Sequence, residues 1–62
     1  MKKYTIFWLD GKKTTVIGFD IANAFTRAGY GAGALRAVDF YCEGEDNPYT
    51  WNSKLRMWFK DD

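Results

Sequence analysis

The sequence predicts an α+β domain: an antiparallel sheet of four to five strands, in the order β-β-α-β-β(-β), with one short helix packed on one face. Three observations predict this class. Residues 20–29 place apolar side chains at helical spacing, strand-like sequence lies on both sides of them, and Asp10-Gly11 marks a tight turn early in the chain. With 62 residues, the chain has the length of one small domain, which we expect to span residues 1–62.

The helix prediction depends on spacing and on both ends of the segment. Asp20 suits the N-cap, because its carboxylate can accept a hydrogen bond from a first-turn amide. Gly29 suits the left-handed position that closes a helix. A helix of nine or ten residues is marginal alone in water, so we expect it to lie on a sheet. The residues expected to face that sheet recur at i, i+3, i+4 and i+7: Ile21, Ala24, Phe25 and Ala28.

The first two strands are expected to form a hairpin. Lys2 to Leu9 and Lys12 to Phe19 read as strands, and Asp10-Gly11 favours a two-residue type I′ turn that pairs Leu9 with Lys12. A three-residue turn that includes Lys12 would move the second strand's side chains to the other face. In the two-residue register the face under the helix carries Tyr4, Ile6, Trp8, Ile17 and Phe19, and the opposite face carries Thr5, Phe7, Leu9, Thr14 and Val16.

The chain after the helix returns to strand-like sequence. Residues 30–34 are small and form a connection, and Leu35 to Cys42 is predicted to be the third strand. Its alternation would put Val38, Phe40 and Cys42 on one side, with Ala37, Asp39 and Tyr41 on the other. Residues 43–48 read as a solvated acidic loop.

The last segment, residues 49–60, has two interpretations. It is either one long strand or a tight hairpin that turns around Asn52-Ser53. The hairpin is favoured, because the aromatic segments at residues 49–51 and 56–58 would then form cross-strand pairs. Asp61 and Asp62 are expected to fray.

The residue types argue against catalysis and metal binding. Histidine is absent, which removes the commonest general base and the commonest transition-metal ligand. The single cysteine, Cys42, can form neither an internal disulfide nor a zinc site, and its place in a strand suggests a small buried side chain. We therefore expect a protein that is not an enzyme and has no cofactor and no metal site.

A glycine pattern at residues 29–34 superficially matches the dinucleotide fingerprint G-x-G-x-x-A. That motif requires a preceding strand and a following helix, whereas here the order is reversed. The interpretation we favour is a helix end followed by a flexible connection.

Composition gives a weak indication of location. A lone cysteine fits a reducing compartment, and no segment has the length and apolarity of a signal-peptide core or a membrane span. We therefore expect a cytoplasmic protein with no membrane partner. The net charge of +1 gives no signal for nucleic acid by itself.

Function has to be argued from the aromatic residues, which make up 19% of the chain. One short helix covers only part of one sheet face, so the other face is predicted to be open and to bind a partner. The alternative is that loops or the terminal hairpin fold over this face and bury it. The predicted binding residues are Phe7, Leu9, Tyr41, Lys54, Arg56, Trp58 and Lys60, with Val16 on the same face and Lys12 at its border.

Two kinds of partner fit such a face. The first is another protein, or a second copy of this chain as a homodimer, because Trp, Tyr, Phe and Arg are enriched at interfaces. The second is single-stranded nucleic acid, whose bases stack on aromatic rings while Lys and Arg follow the backbone. The alternation of cations with Trp58 in residues 54–60 favours the second partner, and the acidic 43–46 segment argues against it.

Overall fold

The computed structural model describes residues 1–44 and 48–61. In the larger of two sheets, which has three antiparallel strands, the first strand of the chain lies in the middle, with the second strand on one side and the third on the other. The last two strands form a separate two-stranded antiparallel sheet. The elements are β1 (Lys2–Trp8), β2 (Lys13–Gly18), α1 (Ile21–Arg27), a 3-10 helix (Ala32–Ala37), β3 (Val38–Glu43), β4 (Tyr49–Asn52) and β5 (Met57–Lys60). The α+β class with antiparallel strands and one short helix is confirmed, and the strands divide into two sheets of three and two.

The first hairpin has a three-residue loop, not the predicted two-residue turn. The Trp8 N–H donates to the Lys12 carbonyl at 2.9 Å, and the Gly11 N–H donates to the Trp8 carbonyl at 3.1 Å. Gly11 has a φ of 92°, as expected for the left-handed residue that ends such a loop. The loop therefore consists of residues 9–11. The three-residue alternative considered above differs from it, because that turn included Lys12 and left Leu9 in the first strand.

This loop changes the face of every side chain in β2. Tyr4 now lies opposite Val16, so Val16 faces the helix and is only 5% exposed. Ile17 and Phe19, predicted to be under the helix, are exposed instead. The prediction was wrong for β2 because a one-residue change of register exchanges the two faces of a strand.

Both predicted ends of α1 are confirmed. Asp20 is the N-cap and accepts a hydrogen bond from the Asn23 N–H at 2.7 Å. Gly29 has a φ of 89°, and its N–H donates to the Thr26 carbonyl. The Tyr30 N–H reaches back to the Phe25 carbonyl at 3.2 Å, which completes a Schellman motif. These caps limit the helix to seven residues.

The main core lies between α1 and one face of the three-stranded sheet. The β1 residues predicted to be under the helix are confirmed there, and the buried cluster consists of Tyr4, Ile6, Trp8, Val16, Ala24 and Phe25. Gly18 allows the helix to approach, because a Cβ atom on it would lie 2.3 Å from the Ala24 backbone nitrogen. Helix α1 therefore packs directly against the end of β2.

The third strand begins later than predicted, since residues 35–37 belong to the 3-10 helix. Phe7 pairs with Phe40 but Trp8 pairs with Val38, so Asp39 is an extra residue in β3. Val38 consequently packs against the helix-side core, whereas Phe40 lies opposite Phe7 on the other face. The predicted grouping of Val38 with Phe40 was wrong because the bulge interrupts the alternation.

The favoured hairpin interpretation of the tail is confirmed, and Trp51 lies opposite Trp58. The turn is formed by residues 53–56 and not by Asn52-Ser53 as predicted, because Asn52 still pairs with Met57 in the sheet. The predicted fraying is wrong for Asp61, whose N–H donates to the Pro48 carbonyl at 2.5 Å. The Thr50 hydroxyl also donates to the Asp61 carboxylate. Residue 62, which was also predicted to fray, and residues 45–47 of the predicted acidic loop lie outside the described residues.

Candidate functional site

The sheet face away from the helix is covered by the β4–β5 hairpin through an aromatic cluster. Phe7 stacks on Phe40 with ring centroids 4.5 Å apart, and both rings lie 5.0 Å from the ring of Tyr49. Trp58 approaches Phe7 edge-on, also at 5.0 Å. We call Phe7, Phe40, Tyr49 and Trp58 the hairpin cluster. It is the arrangement that the sequence offered as the alternative to an open face.

Three predicted binding residues therefore do not share an open surface. Phe7 has no exposed surface and belongs to the interior of the hairpin cluster. Trp58 is half-buried, and its indole N–H donates to the Trp8 carbonyl at 2.9 Å. Tyr41 is half-exposed, but it lies on the helix side of the sheet, where its ring meets that of Tyr4 at 6.2 Å. The prediction of a common aromatic face at these positions was wrong because the hairpin folds over it and β3 contains a bulge.

The other four predicted residues are exposed, and two of them meet. Leu9 and Arg56 line the same open cleft, of about 350 Å³, between the β1–β2 loop and the β4–β5 turn. Lys54 lies in the same turn, and Lys60 lies at the far end of β5. We call this cleft, formed by Leu9, Asp10, Trp51, Ser53 and Arg56, the tip cleft.

The β4–β5 turn is built by Asn52. Its side-chain oxygen accepts hydrogen bonds from the backbone N–H groups of Lys54 and Leu55, both at 3.0 Å. The turn ends at Arg56, which has a φ of 53° and is the one described residue other than glycine with a positive φ. A left-handed arginine is uncommon, because its Cβ atom crowds the backbone in this region. The turn thus fixes an arginine at the mouth of the tip cleft in a conformation that glycine would adopt more easily.

Trp51 is the site residue that the sequence analysis did not select. It lies next to Gly11, where a Cβ atom would approach the indole nitrogen to 2.7 Å. This contact joins the two turns and depends on the three-residue loop, which the sequence did not predict. A tryptophan beside a turn residue such as Asn52 was the one signal that could have identified it.

Charge is unevenly distributed along the molecule. The cleft itself is lined by one cation, Arg56, and one carboxylate, Asp10. The neighbouring segments at this end of the sheet bring the described total to five basic residues and two acidic ones. The Leu9 N–H donates a hydrogen bond to the Ala37 carbonyl, which brings the end of the 3-10 helix to this end of the sheet. The chain is therefore locally basic here despite its net charge of +1. The basic residues are Lys12, Lys13, Arg36, Lys54 and Arg56, and the acidic ones are Asp10 and Asp39.

A second exposed surface lies on the hairpin side that faces away from the cluster. The β4–β5 register pairs Thr50 with Phe59 and Asn52 with Met57, and places all four on this side. Met57 is 52% exposed and Phe59 is 44% exposed. We call these four residues, with the exposed Leu55 in the adjoining turn, the outer hairpin face. These five side chains are uncharged, and the Asp61 carboxylate lies at the border of the face, where it accepts the Thr50 hydroxyl.

A third surface is an open apolar groove of about 360 Å³ between α1 and the 3-10 helix. Phe25, Tyr30 and the exposed Leu35 are among its lining residues. It lies on the helix side of the molecule, away from the predicted binding residues of the hairpin.

No group of three or more His, Cys, Asp or Glu residues that could hold a metal ion occurs within residues 1–44 and 48–61. Cys42 is half-buried and is a free thiol. None of the helices in the described part of the chain is long and apolar enough to cross a membrane.

Comparison of the chain with protein-family models, with curated proteins and with solved structures finds no match.

Proposed function

We propose that this chain is a non-enzymatic protein-interaction module. Its partner is another protein chain, in the first instance a second copy of itself, and the docking surface is the outer hairpin face. The observation that carries the proposal is the exposure of Met57 and Phe59 side by side on one strand face. Methionine and phenylalanine are enriched at protein interfaces, and charged residues are depleted at interface centres.

The amount of exposed apolar surface supports the proposal. Nine large apolar side chains are exposed in the described part of the chain. The accessible surface is 4533 Å², whereas a compact monomer of this mass exposes about 4,100 Å². A monomer can expose single apolar residues without consequence, but adjacent ones on a strand favour association.

The architecture of the hairpin favours a second copy as the partner. Strands β4 and β5 pair only with each other among the described residues, so each has an unpaired edge. A two-stranded sheet is marginal by itself, and a further strand at its edge would supply backbone hydrogen bonds. Two copies related by a two-fold axis would bring the exposed Met57 and Phe59 of each copy together.

Sedimentation equilibrium across a wide concentration range tests this proposal. We expect the mass to rise from monomer to dimer, and Phe59→Lys to keep the protein monomeric with an unchanged circular dichroism spectrum. The matched control is Phe19→Lys, which introduces the same charge at a phenylalanine that is 68% exposed but lies outside the outer hairpin face. A monomer mass at every concentration would contradict self-association. Loss of the dimer in the control variant alone would place the interface around Phe19, just after β2.

Single-stranded nucleic acid remains the second candidate, and one observation favours it. Five of the nine basic residues lie towards the end of the molecule that contains the tip cleft, so a polyanion would meet a local excess of positive charge there. Stacking is less well supported, because the rings of Phe7, Trp58 and Trp51 are engaged with one another or with neighbouring rings. Salt-dependent quenching of tryptophan fluorescence by a mixed-sequence oligonucleotide is the measurement that would favour this candidate.

A further inference from the structure

We propose that the tip cleft binds a carboxylate group presented by an acidic segment of a partner protein. The cleft lies between two hairpin turns, has a volume of about 350 Å³, and places a cation and a polar indole beside the apolar Leu9. A space of this size fits one or two side chains of a bound segment. The inference is independent of self-association, because it concerns the end of the molecule and not the outer hairpin face.

Arg56 supplies the positive charge. Within residues 1–44 and 48–61, no carboxylate oxygen lies within 4.0 Å of its guanidinium group, and the side chain is exposed. A guanidinium group can donate two parallel hydrogen bonds to one carboxylate, which a lysine ammonium cannot do in the same geometry. The free protein therefore presents an arginine whose preferred partner is missing from the described part of the cleft.

Trp51 supplies a second donor. The indole N–H of Trp8 donates to the Thr14 hydroxyl at 3.0 Å, and that of Trp58 donates to the Trp8 carbonyl. The Trp51 N–H has no acceptor among the described residues. Every buried side-chain nitrogen or oxygen in that part of the chain has a hydrogen-bond partner. The unpaired Trp51 nitrogen is therefore not buried, and it is in contact with solvent. The third indole N–H is thus the one free to bind an acceptor on another molecule.

The surroundings of Trp51 favour a carboxylate over a nucleic-acid base. Trp58 packs against Trp51 at 5.4 Å with an angle of 61° between the rings, and Gly11 lies against the pyrrole part of the indole. These contacts reduce the ring surface on which a base could stack. What stays available is the donor edge of the ring, which suits an acceptor such as a carboxylate oxygen.

The backbone of Arg56 supports a role beyond the turn. A turn that needs positive φ is served best by glycine or asparagine, and an arginine at 53° carries a conformational cost. The turn itself does not require a guanidinium group. A strained residue with an unpaired charge at the mouth of a cleft is the combination expected where binding, not folding, determines the residue type.

Asp10 is the one acidic residue in the cleft, and it has partners of its own. One carboxylate oxygen accepts the Lys12 backbone N–H at 3.0 Å, and the other lies 3.9 Å from the Lys12 ammonium. Both groups are exposed, so solvent screens this ion pair. Asp10 therefore places a negative charge in the cleft that would repel an incoming carboxylate. This role predicts the sign of its substitution: Asp10→Asn should tighten binding of an anion.

The experiment is a titration of the ¹⁵N-labelled protein with an N-acetylated oligoglutamate peptide at low salt, followed by NMR of the three indole N–H signals. To exclude self-association, Phe59→Lys serves as the background. We expect the Trp51 signal, assigned with Trp51→Phe, to shift while those of Trp8 and Trp58 stay in place. An oligoglutamine peptide of the same length is the matched ligand control and should shift nothing.

Three variants complete the test. Arg56→Gly should weaken binding about tenfold or more, and this backbone position accepts glycine without strain. Lys54→Ala, which removes a cation from the same turn but not from the cleft lining, should weaken binding only about twofold. Asp10→Asn should tighten binding about threefold, by removal of a like charge at an exposed site.

Several results would overturn the inference. These are the absence of a peptide-dependent shift at Trp51, equal effects of Arg56→Gly and Lys54→Ala, or weaker binding in Asp10→Asn. Inorganic phosphate and a single-stranded oligonucleotide are titrated in parallel. If either bound more tightly than the oligoglutamate peptide and shifted the same Trp51 signal, the cleft would be a phosphate site and the assignment to an acidic protein segment would be wrong.

Discussion

The indole N–H of Trp58 donates to the backbone carbonyl of Trp8 at 2.9 Å across a separation of 50 residues. This hydrogen bond holds the β4–β5 hairpin against the end of β1, next to the β1–β2 loop. The same carbonyl also accepts the Gly11 N–H at 3.1 Å. One carbonyl oxygen thus connects the first loop of the chain with its last strand.

Replacement of Trp58 by phenylalanine tests this connection. Trp58→Phe keeps a ring in the hairpin cluster but removes the donor, so we expect a loss of about 1 kcal/mol in the free energy of unfolding, plus a smaller amount for reduced ring volume. The Trp8 carbonyl keeps its bond from Gly11, which limits the cost. Urea denaturation measures the change. Trp51→Phe is the matched control, because its indole N–H has no acceptor among the described residues, and an equal loss in both variants would show that the hydrogen bond contributes nothing.

The approach of Gly11 to Trp51 gives a second prediction. Gly11→Ala combines two costs, because the residue has a φ of 92° and the new Cβ atom would lie 2.7 Å from the indole nitrogen. Gly29→Ala has only the first cost, since its φ is 89° and nothing lies within 4 Å of the added atom. We expect Gly29→Ala to destabilise the protein by about 1 kcal/mol and Gly11→Ala by clearly more. Thermal unfolding followed by tryptophan fluorescence compares them, and equal melting temperatures would contradict a close contact at Trp51.

Gly18 is predicted to be the least replaceable glycine. An added Cβ atom would lie 2.3 Å from the Ala24 backbone nitrogen and 2.5 Å from its Cα, and neither atom can move without shifting α1. We expect Gly18→Ala to destabilise the protein by at least 2 kcal/mol, of the order seen for overpacked interiors, roughly 1–3 kcal/mol. Gly33→Ala is the control, because its φ is not in the left-handed range and its added atom meets nothing within 4 Å. Similar unfolding midpoints for the two variants would mean that α1 does not pack on Gly18.

The parts of this fold that the sequence predicted are those decided by local chemistry. Asp20 and Gly29 marked the ends of the helix, because a capping side chain and a positive φ leave a signature in single residues. The tail hairpin was favoured for a similar reason, since asparagine and serine favour turns, and the Asn52 side chain does accept the turn's N–H groups. Each of these features is settled within a few residues of the chain.

The parts that were wrong depend on one-residue irregularities with long-range effects. The loop at residues 9–11 exchanged the faces of β2, and the bulge at Asp39 separated Val38 from Phe40. Neither irregularity changes the local free energy enough to alter the pattern of residue propensities. Each nevertheless moves the side chains that follow it to the opposite face of the strand. The predicted binding face failed at Phe7 because tertiary contact with the hairpin, which no local pattern encodes, decided its burial.

The left-handed backbone of Arg56 leads to the last prediction, in which stability and binding change in opposite directions. Arg56→Gly removes the steric cost of a Cβ atom at a φ of 53°, so we expect a stability gain of roughly 0.5–1 kcal/mol, reduced in part by the greater freedom of glycine in the unfolded chain. The exposed guanidinium group has no ion-pair partner among the described residues, so its loss removes no salt bridge there.

Urea denaturation of Arg56→Gly and Arg56→Ala separates the two contributions. The alanine variant keeps the Cβ atom and loses only the charge, so its stability should stay close to that of the parent protein. A glycine variant that is less stable than the alanine variant would show that the turn does not hold this residue in the left-handed region. A gain in stability together with loss of oligoglutamate binding would instead indicate that an arginine at this position serves the tip cleft at the expense of the fold.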